Sequence, residues 1–136
     1  MPNTINLSLV QEAATRLKGV IKKTPFSYAP YLSKISNAEI YLKKENLQNT
    51  GAFKLRGAFN KLATLTDNEK KAGVIAASAG NHAQGVAFSA AHFGIKAYIV
   101  MPEATPLLKV NGTKELGAEV ILHGNSYDEA YAYALE

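Results

Sequence analysis

"GVIAASAGNHAQGVAFSAAHFGIKAYIVM", residues 73–101, is the stretch that decides the fold. Its two ends, "GVIAAS" (73–78) and "KAYIVM" (96–101), are short apolar runs of strand-forming residues. Between them "NHAQGVAFSAAHF" (81–93) is loaded with Ala, Gly and Ser and stops at Gly94. This predicts strand, helix, strand, with small residues letting helix and sheet approach closely and Gly94 ending the helix. A helix begun by Thr105 as N-cap and Pro106 in its first turn, and ended by Gly117, leads to a third run, "AEVILHG" (118–124). Repeated βα order implies an α/β fold, a parallel sheet with helices on both faces and right-handed crossovers.

Upstream, Ser8 and Gln11 have capping-box spacing, and Leu9, Ala13, Leu17 and Val20 keep helical phase, which predicts a helix over 8–18. "KKTPFSYAPYLSKISN" (22–37), with its prolines and turn formers, reads as a connecting segment. "EIYLKKEN" (39–46) alternates as a strand whose Ile40 and Leu42 face is the better buried one. A helix is expected from Ala52 to Leu65, then a helical turn opened by the capping box of Thr66 and Glu69. Ser126 and Glu129 form a further capping box, and the helix after them runs to the last residue without a C-cap, as in the front portion of a longer enzyme.

The composition, 47% hydrophobic and 19% charged over 136 residues, is that of a globular chain and allows one domain at most or a piece of a larger one. With no cysteine, disulfides, thiolate metal sites and cysteine redox chemistry are excluded. The N-terminus is amphipathic and lacks a signal-peptide layout, and no apolar run approaches a membrane span, so a cytoplasmic protein without membrane partners is expected. The net charge of +4 comes from scattered lysine pairs without aromatic interleaving, which suits a solvated surface and not a nucleic-acid site.

Two places can carry chemistry. "SAGNHAQG" (78–85) sets Gly80, Asn81 and His82 between the C-terminal end of a parallel strand and the start of a helix, where free N–H groups favour a carboxylate or phosphate. A turn with a helix cap explains the same residues, and the loop matches neither the phosphate-cradling nor the dinucleotide glycine pattern. The second place is Lys54 in "NTGAFKLRGAF" (49–59). An isolated lysine is ordinarily a surface residue, but Phe53 and Leu55 flank this one, and Ala52, Gly57 and Ala58 permit close approach. A lysine desolvated there would be a nucleophilic, Schiff-base-forming amine.

"KKENLQNTGAFKLRGAFNKL", "SAGNHAQGVAFSA" and "VMPEATPLLKV" together resemble the threonine ammonia-lyases (threonine dehydratases), of the fold type II family of pyridoxal-phosphate enzymes. The likeness runs from about Arg16 to the last residue. It implies that Lys54 carries pyridoxal phosphate as a Schiff base and is the catalytic base, that Phe53 packs on the cofactor ring, and that Asn81 hydrogen-bonds the ring hydroxyl. It implies too that Ser78, Ala79, Gly80, Asn81 and His82 hold the substrate carboxylate. The implied reaction is β-elimination, turning L-threonine into 2-oxobutanoate and ammonia and L-serine into pyruvate, in isoleucine biosynthesis or threonine catabolism. Residues 1–48 would belong to the family's large domain and 49–136 to its small domain, incomplete at the C-terminus, in a homo-oligomer (dimer or tetramer). The family's glycine-rich phosphate loop and its partner for the pyridine nitrogen would lie beyond residue 136.

Serine racemases of the same family carry a second serine where this chain has Ala79, and a methyl group supplies no proton to the opposite face of a substrate. A non-catalytic binding module or fragment is the other alternative, and it would be expected to lose Lys54 or Asn81. No metal is expected, since His92 and His123 have no partner at ligand spacing and no carboxylates pair. Both histidines read as structural or surface residues, and Tyr127 and Tyr131 read as core packing.

Overall fold

The computed structural model describes residues 4–136. The central sheet consists of β1 (Val74–Ala77), β2 (Ala97–Met101) and β3 (Glu119–Leu122), parallel and in the order β1-β2-β3. Registers such as Ala76 opposite Ile99, and Ile99 opposite Val120, set the apolar residues of neighbouring strands side by side. The predicted α/β order is therefore observed.

The middle strand is buried on both sides. Ala97, Ile99 and Met101 point into a core shared with α1 (Lys54–Ala63) and α2 (Asn81–Phe93), through Ala58 and Leu62 of the first and Ala83, Val86, Ala87 and Ala90 of the second. Because successive strand residues alternate between faces, Val100, fully buried, belongs to the other face. On the sheet also packs α3 (Tyr127–Leu135), against the first two strands, burying Ala130. The helix α4 (Leu107–Glu115) bridges the second and third strands, and α5 (Asp67–Ala72) precedes the first. Gly94 ends α2 with φ 64°, as expected of a left-handed cap.

Several boundaries differ from expectation, each for a local reason. The N-terminal helix α6 (Leu7–Leu17) is capped by Asn6, whose side chain accepts from the Leu9 amide, while Ser8 lies inside the helix facing Glu12. Pro106 itself is the N-cap of α4, and Thr105 makes no cap hydrogen bond. Ser126 accepts from the Glu129 amide, but the Glu129 carboxylate turns to the Asn125 amide, so the box is half made. The box of Thr66 and Glu69 is complete.

The segment read as a connector holds a strand, β4 (Phe26–Tyr28), and a helix, α7 (Pro30–Ser36). Pro30 begins that helix, where its missing N–H costs nothing, and Asn37, at φ 51°, ends it. The strand pairs antiparallel with β5 (Tyr41–Lys43) in a separate two-stranded sheet. The predicted buried face of that strand is not found: Leu42 is 42% exposed and Ile40 is half-buried. A stack of Phe26 on Tyr41, with centroids 5.4 Å apart, supplies its cross-strand packing instead.

Candidate cofactor and substrate site

The site is set by the contact of α1 with α2. The buried stripe of α1 is Leu55, Ala58, Phe59 and Leu62, and it lies on a helix whose Gly85 offers no side chain. A Cβ at Gly85 would stand 3.3 Å from both the Cα and the amide nitrogen of Leu55. The Lys54–Leu55 peptide is thus drawn against the first turns of α2.

Lys54 is the first residue of α1, one position off the buried stripe, and it is exposed. The expected desolvation by Phe53 and Leu55 is not found: Leu55 is fully buried, but Phe53 is 62% exposed and covers Lys54 from one side only. The amine is 5.9 Å from the Phe53 ring centroid. Among the described residues it enters no hydrogen bond and no ion pair. A free primary amine beside an uncovered aromatic ring is the result.

The loop of residues 78–82 leaves the C-terminal end of β1, where the Ser78 amide donates to the Val100 carbonyl at 3.0 Å. Its hydroxyl turns back and accepts from the amides of Gly80 and Ala83, both at 3.3 Å. That bond ties down the start of α2, whose N-cap, Gly80, has no side chain to do so. Asn81 and His82, the next two residues, have amides with no acceptor among the described residues, and both are exposed. The expected anion-favouring helix start is therefore present, open to solvent. Ala79 is half-buried and packs on the core.

His82 joins the two halves. Partial withdrawal of its ring from water holds its pKa below the ordinary imidazole range, and the positive charge of Lys54 lowers it further. The sequence-predicted residues are thus gathered on one open surface, with Lys54 close enough to act on His82. The ring of His82 also lines a cleft of about 270 Å³ with Ile75, Tyr127 and Tyr131. These tyrosines, expected in the core, are 55% and 47% exposed and stack on each other at 6.0 Å. His92 packs edge-on against Phe59 at 5.0 Å and His123 stacks on Tyr133 at 4.1 Å. Among the described residues no group of histidines and carboxylates could hold a metal. No described helix is long and apolar enough to cross a membrane.

Sequence reading missed what holds the segment before Lys54. Glu45, in the 3-10 turn Glu45–Leu47, takes the Arg56 guanidinium in two bonds, Nε at 2.7 Å and Nη2 at 2.8 Å, and also accepts from the Thr24 hydroxyl. These bonds, that to Arg56 above all, hold the Glu45 carboxyl at about 2 in spite of its partial burial. Gln48 brackets the backbone of Lys22, accepting from its amide at 2.9 Å and donating to its carbonyl at 3.0 Å. Neither pair has a periodic spacing. Only the nearness of Arg56 to Lys54 in the motif could have drawn attention to them.

The pyridoxal-phosphate dependent enzyme family model matches residues 17–136. L-threonine ammonia-lyase of Thermotoga maritima is 56% identical over 131 residues, 96% of this chain but 33% of that protein. Among solved structures, processed threonine deaminase isoform 2 from Solanum lycopersicum superposes with TM-score 0.84 at 39% identity, over 97% of this chain and 38% of that one. Maize serine racemase does so with TM-score 0.88 at 32% identity, over 96% and 40%. The chain thus spans about a third of the length of the curated relative. With a family match over most of its residues and a gathered lysine and anion-binding loop, the chain belongs to the pyridoxal-phosphate dependent enzymes.

Proposed function

We propose that this chain is the lysine-bearing part of an L-threonine ammonia-lyase, converting L-threonine to 2-oxobutanoate and ammonia and acting on L-serine to give pyruvate. One observation carries the reading: the unpaired Lys54 amine stands beside an uncovered aromatic ring and near a helix start with free amides. These residues fit the family's cofactor. A free amine suits its aldehyde, and the exposed face of Phe53 suits its planar ring.

When bound, pyridoxal phosphate supplies a ring that spreads negative charge away from the substrate α-carbon. The protein's residues do the rest. Lys54 Nζ is the group that would hold the cofactor, and its unprotonated form is the acceptor for the α-proton. The Asn81 amide side chain would orient the ring hydroxyl. The free amides of Asn81 and His82, on a start of α2 held by the Ser78 hydroxyl, would take the substrate carboxylate. Loss of the β-hydroxyl releases water, and a water consumed in releasing ammonia balances the reaction.

Ala79 favours the lyase over the racemase, because its methyl group offers no second acid or base. The separate two-stranded sheet before residue 48 supports a division between an N-terminal segment of a large domain and a small domain from residue 49. With pyridoxal phosphate and L-threonine, 2-oxobutanoate and ammonia should form in equal amounts, and Lys54→Ala should form neither. Conversion of L-serine to D-serine without keto acid would instead favour the racemase.

A further inference from the structure

The helix that carries Lys54 begins badly. Its N-cap, Phe53, makes no side-chain cap bond, and its first turn has no acidic residue while holding Lys54 and Arg56. Two cations at the positive end of a helix dipole and no cap are the conditions under which a first turn frays. Lys54 is the first residue to be lost from such a turn.

We infer that Glu45 is the positioning residue for Lys54, acting from outside the helix as the anchor of its uncapped first turn through Arg56. This rests on the reading of Lys54 as the cofactor-holding amine. Glu45 supplies the anion that the first turn lacks, and its two bonds to Arg56 fix the orientation of the turn as well as its place. Glu45 is itself held from the other side by Thr24, whose carbonyl accepts from Lys43 Nζ at 2.6 Å. The loop between the anchor and Lys54 is pinned once more by Gln48 on Lys22. Lys54 therefore sits on a short span closed at both ends, Glu45 before it and Arg56 after it. This pair is well shielded, with the Glu45 side chain 13% exposed.

Hydrogen exchange in the full chain, with Glu45→Gln and Glu45→Ala beside the parent, tests the anchor without any cofactor. The amides of Arg56, Gly57 and Ala58 should exchange about tenfold faster or more in both variants, while those of Leu62 and the middle strand stay unchanged. The exchanged pair, Glu45→Arg with Arg56→Glu, should restore slow exchange. On addition of pyridoxal phosphate and borohydride, the share of label fixed on Lys54 relative to the other lysines should fall in the single variants and return in the exchanged pair. Unchanged exchange in the first turn overturns the inference, as does acceleration spread evenly over the chain in the milder Glu45→Gln. Selective labelling of Lys54 at the parent level despite faster first-turn exchange also overturns it. If the parent labels no lysine selectively, the cofactor reading of Lys54 fails, and with it the positioning role; the exchange data still decide whether Glu45 anchors the helix.

Discussion

Gly85 and Leu55 meet backbone to backbone: a Cβ on Gly85 would lie 3.3 Å from the Leu55 amide nitrogen, and a similar 3.4 Å from the Ala58 methyl. The distance between the two helix axes at the candidate site is therefore fixed by a missing side chain. Gly85→Val should cost about 1–3 kcal/mol in unfolding free energy and lower the capture of cofactor by Lys54, because the Leu55 backbone cannot yield as a side chain does. Gly57, with open space at its Cβ, is the control. There Gly57→Ala should be neutral or stabilising by up to about 1 kcal/mol through helix propensity. Denaturant unfolding of the two variants checks both signs.

Gly73 is the second glycine under constraint. It has φ 90°, and a Cβ there would stand 2.8 Å from the Lys96 carbonyl oxygen, which is held by the Val74 amide at 2.9 Å. Gly73→Ala combines backbone strain with a clash against a fixed atom of the ladder. A loss of about 2–3 kcal/mol in thermal or denaturant unfolding is expected.

The sheet and its three βα steps are legible because apolar strand runs and capped, small-residue helices repeat in order. What escapes is what depends on partners distant in sequence. Phe26–Tyr28 pairs with Tyr41–Lys43 through an intervening helix begun by Pro30, and no local rhythm announces that pairing. Ser8 matches a cap by spacing as well as Asn6 does, and backbone geometry alone chooses between them. In the site, the motif residues came from the sequence. The exposure of Lys54 did not, because flanking apolar residues do not say which of them turns inward: Leu55 does and Phe53 does not.

The Glu45 carboxyl is held at about 2, below its ordinary 4.5, chiefly by the bond to Arg56. A depressed carboxyl pKa contributes stability that is complete above the unfolded value and lost as pH falls from there through the folded one. The stability gap between parent and Glu45→Gln should therefore be constant near neutrality, shrink below about pH 4.5 and be nearly gone at about pH 2. Urea unfolding at a series of pH values reads this directly.

The pKa of His82 lies below the ordinary range first through partial desolvation and second through the charge of Lys54. An imidazole lowered in this way stays neutral in the folded chain, and its contribution to stability is lost as pH falls through the unfolded value, about 6.5. In Lys54→Met the His82 resonance should titrate higher than in the parent while remaining below the ordinary range. An unchanged titration would place the two side chains out of electrostatic reach.

Ala79 separates the two reactions on chemical grounds. In Ala79→Ser, a hydroxyl gains the place from which a second proton transfer can reach the substrate, and conversion of L-serine to D-serine should rise by about 10²-fold over the parent. Chiral chromatography of the products after incubation with L-serine measures it.

The central claim is that Lys54 is the amine that holds the cofactor. The direct test mixes the full chain with pyridoxal phosphate, records the visible absorbance, reduces with borohydride and maps the fixed label by peptide mass spectrometry, with Lys54→Ala in parallel. The account predicts a visible band that reduction converts into a label on Lys54, and a mutant that has neither. A parent that forms the band but fixes its label on another lysine, or a mutant indistinguishable from the parent, would contradict it.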